Sequence, residues 1–252
     1  MIGRVLAIAI NTFRETVRAR VLYVLALAGV LTIGSSALLS PLALGETDRI
    51  TKDIGLAAID LLGLLIITLL GTTIVYKEIE RRTIVLLLSK PIARYEFVLG
   101  KFLGLSCTLA VAVAAEMVCV QLAVVLAGGG LDPRLAGAAG MALVALLTVN
   151  AVAMLYASFS GPLVAAFLTG ATYVAGRLGG DLFDFAVEHG LPFLAYVFYL
   201  LPNLASMDLR AQVVHGIAFD PHQVGLALAH GLSYTLGALL LAVLAFRRRE
   251  FR

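Results

Sequence analysis

Residues 76–104 read YKEIERRTIVLLLSKPIARYEFVLGKFLG, a dense cluster of charges with one proline, set between two long apolar runs. The run before it, about Leu56 to Tyr76, and the run after it, about Phe102 to Ala127, each exceed the ~18 apolar residues that mark a membrane-crossing helix. Two such runs joined by so charged a segment describe a chain folded through a bilayer, with the segment outside it. Composition agrees. Of the 252 residues 61% are hydrophobic and 14% charged, against about 45–50% and about 25% in soluble domains. The expected class is an all-α, polytopic membrane protein.

Working outward from this stretch, a first span is expected from about Val21 to Leu44, followed by the polar GETDRITKD at 45–53. Beyond Ala127, GGGLDPR (128–134) signals a turn. A fourth span then runs from about Leu135 to Tyr156, and SFSGP (158–162) turns the chain into a fifth that ends near Gly180. A last span covers about Val224 to Phe246 and stops at RRREFR (247–252). In the segment 181–222, the run LPFLAYVFYLLP (191–202) is bounded by Pro192 and Pro202. It is too short for a span and reads as a re-entrant or outer element.

The N-terminal residues 1–20 interrupt their apolar positions with Arg4, Asn11, Arg14, Glu15 and Arg18, unlike a cleavable signal core. Ile2, Leu6, Ile10, Phe13 and Val17 recur at helical spacing, which predicts an amphipathic helix lying on the membrane surface. One membrane domain, 1–252, accounts for the whole.

The net charge of +3 does not call for a nucleic-acid partner, because the basic residues flank spans. With six spans and the N-terminus inside, Arg4, Arg14, Arg18, Arg20, Lys77, Arg81, Arg82, Lys90, Arg94, Lys101, Arg247, Arg248, Arg249 and Arg252 all fall on the inner side. That is fourteen of the nineteen lysines and arginines. Arg49, Lys52, Arg134 and Arg210 remain outside, and Arg177 lies within the fifth span. The positive-inside rule selects this arrangement, with both termini cytoplasmic. A seventh span would carry Asp184 and Glu188 into the bilayer and put RRREFR on the opposite side.

The stretch at 77–101 is therefore an inner loop. Ile79, Thr83, Ile84, Leu87 and Leu88 align at helical spacing, and Lys90, standing before Pro91, is biased away from helix, so a short amphipathic helix ends near Ser89. From pattern alone, the loop either grips a partner or only fixes topology with snorkelling charges.

The loop resembles the hallmark cytoplasmic loop of type-2 ABC permeases, closest to the multicopper-enzyme-maturation branch. The matching residues are Glu78, Glu80, Arg82-Thr83, Ser89-Lys90-Pro91, Arg94, Glu96-Phe97 and Gly100-Lys101, with LLPNLASMDLR (200–210) as a second matching feature. The resemblance implies a membrane-spanning permease, an exporter, whose loop is a coupling helix seated on a separate nucleotide-binding subunit. Glu78, Glu80, Arg81, Arg82, Thr83, Leu87, Ser89, Lys90, Pro91 and Arg94 would make that contact. It further implies a second permease copy, identical or not, in a bacterial or archaeal inner membrane. No G-x-x-x-x-G-K-[ST] stretch occurs, so ATP and Mg2+ would be held by the partner, with no cofactor and no catalytic residue in this chain. The rival reading from another class is a membrane scaffold that anchors a partner complex through the same loop.

Polar groups inside spans are costly and mark function. Asp60, Glu116 and Arg177 lie at similar heights toward the outer side. Either Glu116 or Asp60 pairs with Arg177, as a clamp or a gate, or Asp60 and Arg177 snorkel to the outer interface. Asn150 and Gln121 read as interhelical hydrogen-bond partners. Cys107 and Cys119 are about 18 Å apart along one helix and cannot form a bridge. His189, His215, His222 and His230 lack metal-ligand spacing, so no metal site is expected. Ser160 and His230 fall near opposite faces of the membrane, which excludes a serine hydrolase pair.

Overall fold

The computed structural model describes residues 2–39, 47–73, 93–191 and 200–248. Among them there are helices and turns and no strands. The helices are α1 (Ile2–Val17), α2 (Arg20–Leu39), α3 (Thr47–Ile66, continued by a π turn at Ile67–Gly71), α4 (Arg94–Leu126) and α5 (Pro133–Phe159). After these come α6 (Pro162–Arg177), α7 (Gly179–Glu188), α8 (Arg210–Val214) and α9 (Pro221–Arg248).

Four of the described helices are long and apolar enough to cross a membrane: α3 with its π turn, α4, α5 and α9. A fifth is reached if α1 and α2, bent by 62° at their junction, count as one. The expected fifth span is shorter than the others. With 16 residues, α6 is about 24 Å long at ~1.5 Å per residue, below the ~30 Å of a hydrocarbon core. The chain bends at Leu178 before α7 continues.

Two boundaries differ from the sequence reading. The polar stretch at 45–53 is helical from Thr47, because Lys52 Nζ reaches Asp48 Oδ2 one turn back and Asp132 Oδ2 across the α4–α5 turn, both at 2.9 Å. The eight residues 94–101, expected within the inner loop, are the first two turns of α4. Glu96 sets that start, since its Oε2 accepts the Ala93 N–H at 3.0 Å, a carboxylate reaching back over free amides. At 33 residues, α4 is about 50 Å long and outreaches the hydrocarbon core.

α5 is the central helix, packed on α4, α9, α6 and α3. Glycines let the helices close. A Cβ on Gly63 would meet the Leu146 side chain at 2.3 Å, and one on Gly55 would meet Val120 at 2.5 Å. Close approach of small residues is what holds helices together in lipid, where apolar burial alone gives little drive. One apolar core, with Ile59, Leu109 and Leu146 fully buried, fills the middle of the bundle. A second, around Phe97, Ala151, Ala242 and Phe246, lies at the end where the N-terminus, the start of α4 and the C-terminus of α9 meet.

Candidate functional site

At that end α1 runs parallel to α4, with contacts offset by 92 residues along its length. Arg4 Nη1 lies 3.9 Å from Glu96 Oε2, Ile8 faces Gly100, Thr12 faces Gly104, and the Thr16 and Thr108 hydroxyls meet at 2.6 Å. A Cβ on Gly104 would lie 2.5 Å from Thr12 Cβ and 2.6 Å from the Ala9 carbonyl, so only glycine admits this approach. The buried residues of α1 are therefore small ones, Ala9, Thr12 and Thr16, while Ile2, Leu6 and Ile10 remain exposed. The apolar stripe legible in the sequence is real, but the helix is docked along α4 by its opposite, small-residue side.

The C-terminus of α9 joins the same end. Arg94 Nη1 donates to the Phe246 carbonyl at 3.1 Å, a cation satisfying a helix C-terminus. Phe97 stacks on Phe246 with ring centroids 5.6 Å apart. Lys101 is almost fully buried, with Nζ 3.8 Å from Glu15 Oε2 and 5.8 Å from the centre of the Phe97 ring. Of the residues that sequence reading assigns to coupling, Arg94 lies in this cluster. Glu78, Glu80, Arg81, Arg82, Thr83, Leu87, Ser89, Lys90 and Pro91 lie outside the described residues.

At the opposite end a closed set of charges forms. Arg177 Nη2 donates to Asp60 Oδ2, and its Nη1 lies 2.7 Å from Asp208 Oδ2. The latter is a charge contact without hydrogen-bond alignment. The guanidinium also sits 5.5 Å from the Tyr173 ring centre. Arg210 Nε is 3.4 Å from Asp53 Oδ1. The pairing expected for Arg177 is thus made with Asp60, on α3, and Asp60 is buried rather than snorkelling.

Sequence reasoning did not assign Asp208 to this cluster. It stands in the 200–210 stretch, whose buried Leu204, Met207 and Leu209 seat that segment on the bundle. Gly176 makes the seat possible, since a Cβ there would lie 2.6 Å from the Pro202 carbonyl, and the Leu204 N–H donates to the Gly176 carbonyl at 3.2 Å. Only about 10 Å3 of open space remains beside the charges.

A second charged link ties α3 to the α4–α5 turn. Asp132 caps α5, accepting the Arg134 N–H at 3.0 Å, and it pairs with Lys52. Burial works against its ionised form. The bonds from Lys52 and the Arg134 N–H outweigh that and hold its carboxyl below the usual range.

The model of the ABC-2 family transporter protein family matches residues 6–250. No curated protein matches the chain. The chain belongs to the ABC-2 transporter family. Membership makes it the membrane-spanning permease component of an ABC transporter, not itself an enzyme, and implies pairing with an ABC ATPase subunit. In this ABC-2 chain the family-like residues Glu96, Phe97, Gly100 and Lys101 have structural tasks: capping α4, stacking on Phe246, admitting α1 and pairing with Glu15.

The remaining polar positions of this ABC-2 permease divide. Asn150 Nδ2 reaches the Phe102 carbonyl at 3.4 Å and Ser106 Oγ at 3.2 Å, an interhelical link as expected. Gln121 instead bonds the α4–α5 turn, through the Gly130 carbonyl and the Asp132 N–H. It stands only a turn and a half from the end of α4, where the returning backbone lies nearer than another helix. Ser160 Oγ donates to the Tyr156 carbonyl, and His230 Nε2 accepts the Asn203 N–H at 3.2 Å. Cys107 and Cys119 are unbridged. Glu116 does not meet Arg177. It lines a separate groove between α2 and α4.

Proposed function

We propose that this permease is the membrane half of an exporter, coupled through 77–101 to a separate nucleotide-binding subunit that holds ATP and Mg2+. Two permease copies and two ATPase subunits make the working unit, in a bacterial or archaeal inner membrane. Each permease spans six times with both termini cytoplasmic. The supporting observation is the construction of the loop's C-terminal flank. Residues 94–101 are the first two turns of α4, held by α1 on one side and α9 on another through Arg4–Glu96, Glu15–Lys101 and Arg94–Phe246. A push on the loop is thereby delivered to a rigid element that reaches the opposite end, and to two further helices at once. On the loop's other flank, the π turn at Ile67–Gly71 packs on α5 and α6. Such turns interrupt the regular helix ladder and are frequent at functional positions.

The test is co-purification. The wild-type protein in detergent should carry a P-loop ATPase whose hydrolysis responds to it. Glu80→Lys should release that subunit or uncouple its hydrolysis. Absence of any ATPase partner would overturn the coupling and leave an anchoring scaffold.

A further inference from the structure

Between α2 and α4 lies a groove of about 220 Å3 with apolar walls and one carboxyl group, Glu116. Gly29, in the middle of α2, makes room for it: a Cβ there would lie 2.6 Å from Leu62 Cδ1 and 3.6 Å from Glu116 Oε1. Glu116 is 9% exposed, and no hydrogen-bond or ion-pair partner reaches it among the described residues. Asp60, Lys52 and Lys101, elsewhere in the bundle, are all paired. Among the described residues, the titratable groups that share the groove are Tyr23 and Cys119, and neither supplies a positive charge.

The groove opens sideways, since Tyr23, Val30 and Val111 along its edges are more than half exposed. In a spanning bundle such residues face lipid. An ionised carboxylate buried in apolar surroundings demands a counter-charge, and here one can arrive laterally from the bilayer. The aromatic face of Tyr23 adds a second attraction for a cation. We infer that the α2–α4 groove binds lipophilic cations with a compact ammonium head, with Glu116 as counter-charge and the alkyl chain lying along the open apolar edge. As a transport substrate site this rests on the permease function proposed above, whereas binding itself needs no ATPase.

Radiolabelled dodecyltrimethylammonium is titrated onto the full-length protein in phosphatidylcholine nanodiscs, with empty nanodiscs giving the lipid background and dodecanol as a neutral competitor. Saturable binding of one cation per chain is expected, unaffected by dodecanol. Glu116→Gln should weaken it at least tenfold. Ala26→Phe, at an exposed position lining the groove, should abolish it, while both variants elute and melt like the wild type. Affinity within twofold of wild type in Glu116→Gln, or displacement by dodecanol, would overturn the assignment. So would a wild-type protein with no saturable binding. In that event, dimers that Ala26→Phe splits into monomers would assign the groove to a second copy. Because binding needs no ATPase, a negative result here leaves the co-purification test of coupling untouched.

Discussion

Arg177 closes the last turn of α6 with its guanidinium shared between Asp60 and Asp208. Breaking a buried pair from one side strands the other charge, which typically costs about 3 kcal/mol or more, whereas removing both charges together costs far less. Arg177→Gln should therefore lower the unfolding free energy in detergent by about 3 kcal/mol, and adding Asp60→Asn should restore more than half of that. Thermal melts of the two variants decide it. A double variant no more stable than Arg177→Gln would show that the pair is not the source of the stability. The candidates Asp60 and Arg177 were legible in the sequence because charges inside apolar runs stand out. Which of Asp60 and Glu116 meets Arg177 was not, since 117 residues separate Asp60 from Arg177 and helix rotation decides which faces meet. Glu116 illustrates the same point from the other side: equal in sequence prominence, it faces a groove with no cation among the described residues that line it.

At the scale of elements, the α1–α4 pair turns on two glycines four residues apart, Gly100 and Gly104. A branched side chain at 104 would collide with backbone and with Thr12 Cβ, neither of which can swing aside. Gly104→Val should accordingly detach α1 from α4. In a background with Cys107 and Cys119 replaced by alanine, Thr16→Cys and Thr108→Cys should cross-link readily, their native hydroxyls being 2.6 Å apart. The cross-link should fall at least fivefold when Gly104→Val is added. An unchanged yield would mean that α1 is held elsewhere. Periodicity revealed the apolar stripe of Ile2, Leu6 and Ile10 but not the docking side, because Ala9, Thr12 and Thr16 carry too little hydrophobicity to register. The start of α4 was misplaced for a related reason. Its first turns carry charge, and only Glu96, Arg4 and Phe246 together explain why they are helical rather than loop.

Across the whole molecule, the N-terminus, the start of α4 and the end of α9 share one end of the bundle. The 200–216 segment, Asp53 and the α4–α5 turn occupy the other. With the positive-inside rule setting the orientation, a membrane-impermeant maleimide added to spheroplasts should label Ser206→Cys, an exposed position, and leave Gly3→Cys unlabelled until the membrane is opened. Both measurements use the background with alanine at 107 and 119. The reverse pattern would invert the topology, and labelling of both from outside would break their placement at opposite ends of the bundle.

The helical membrane class was determined by the sequence alone. The physical reason is that hydrocarbon tolerates no unsatisfied backbone, so long apolar runs have one solution. What only the tertiary structure decided was which polar groups meet. Asp60 finds Arg177, Glu116 finds none among the described residues, and α1 lies along α4, because rotation about each helix axis is set by where glycines and small side chains let backbones approach. That information is spread over contacts between distant positions, and no local pattern carries it.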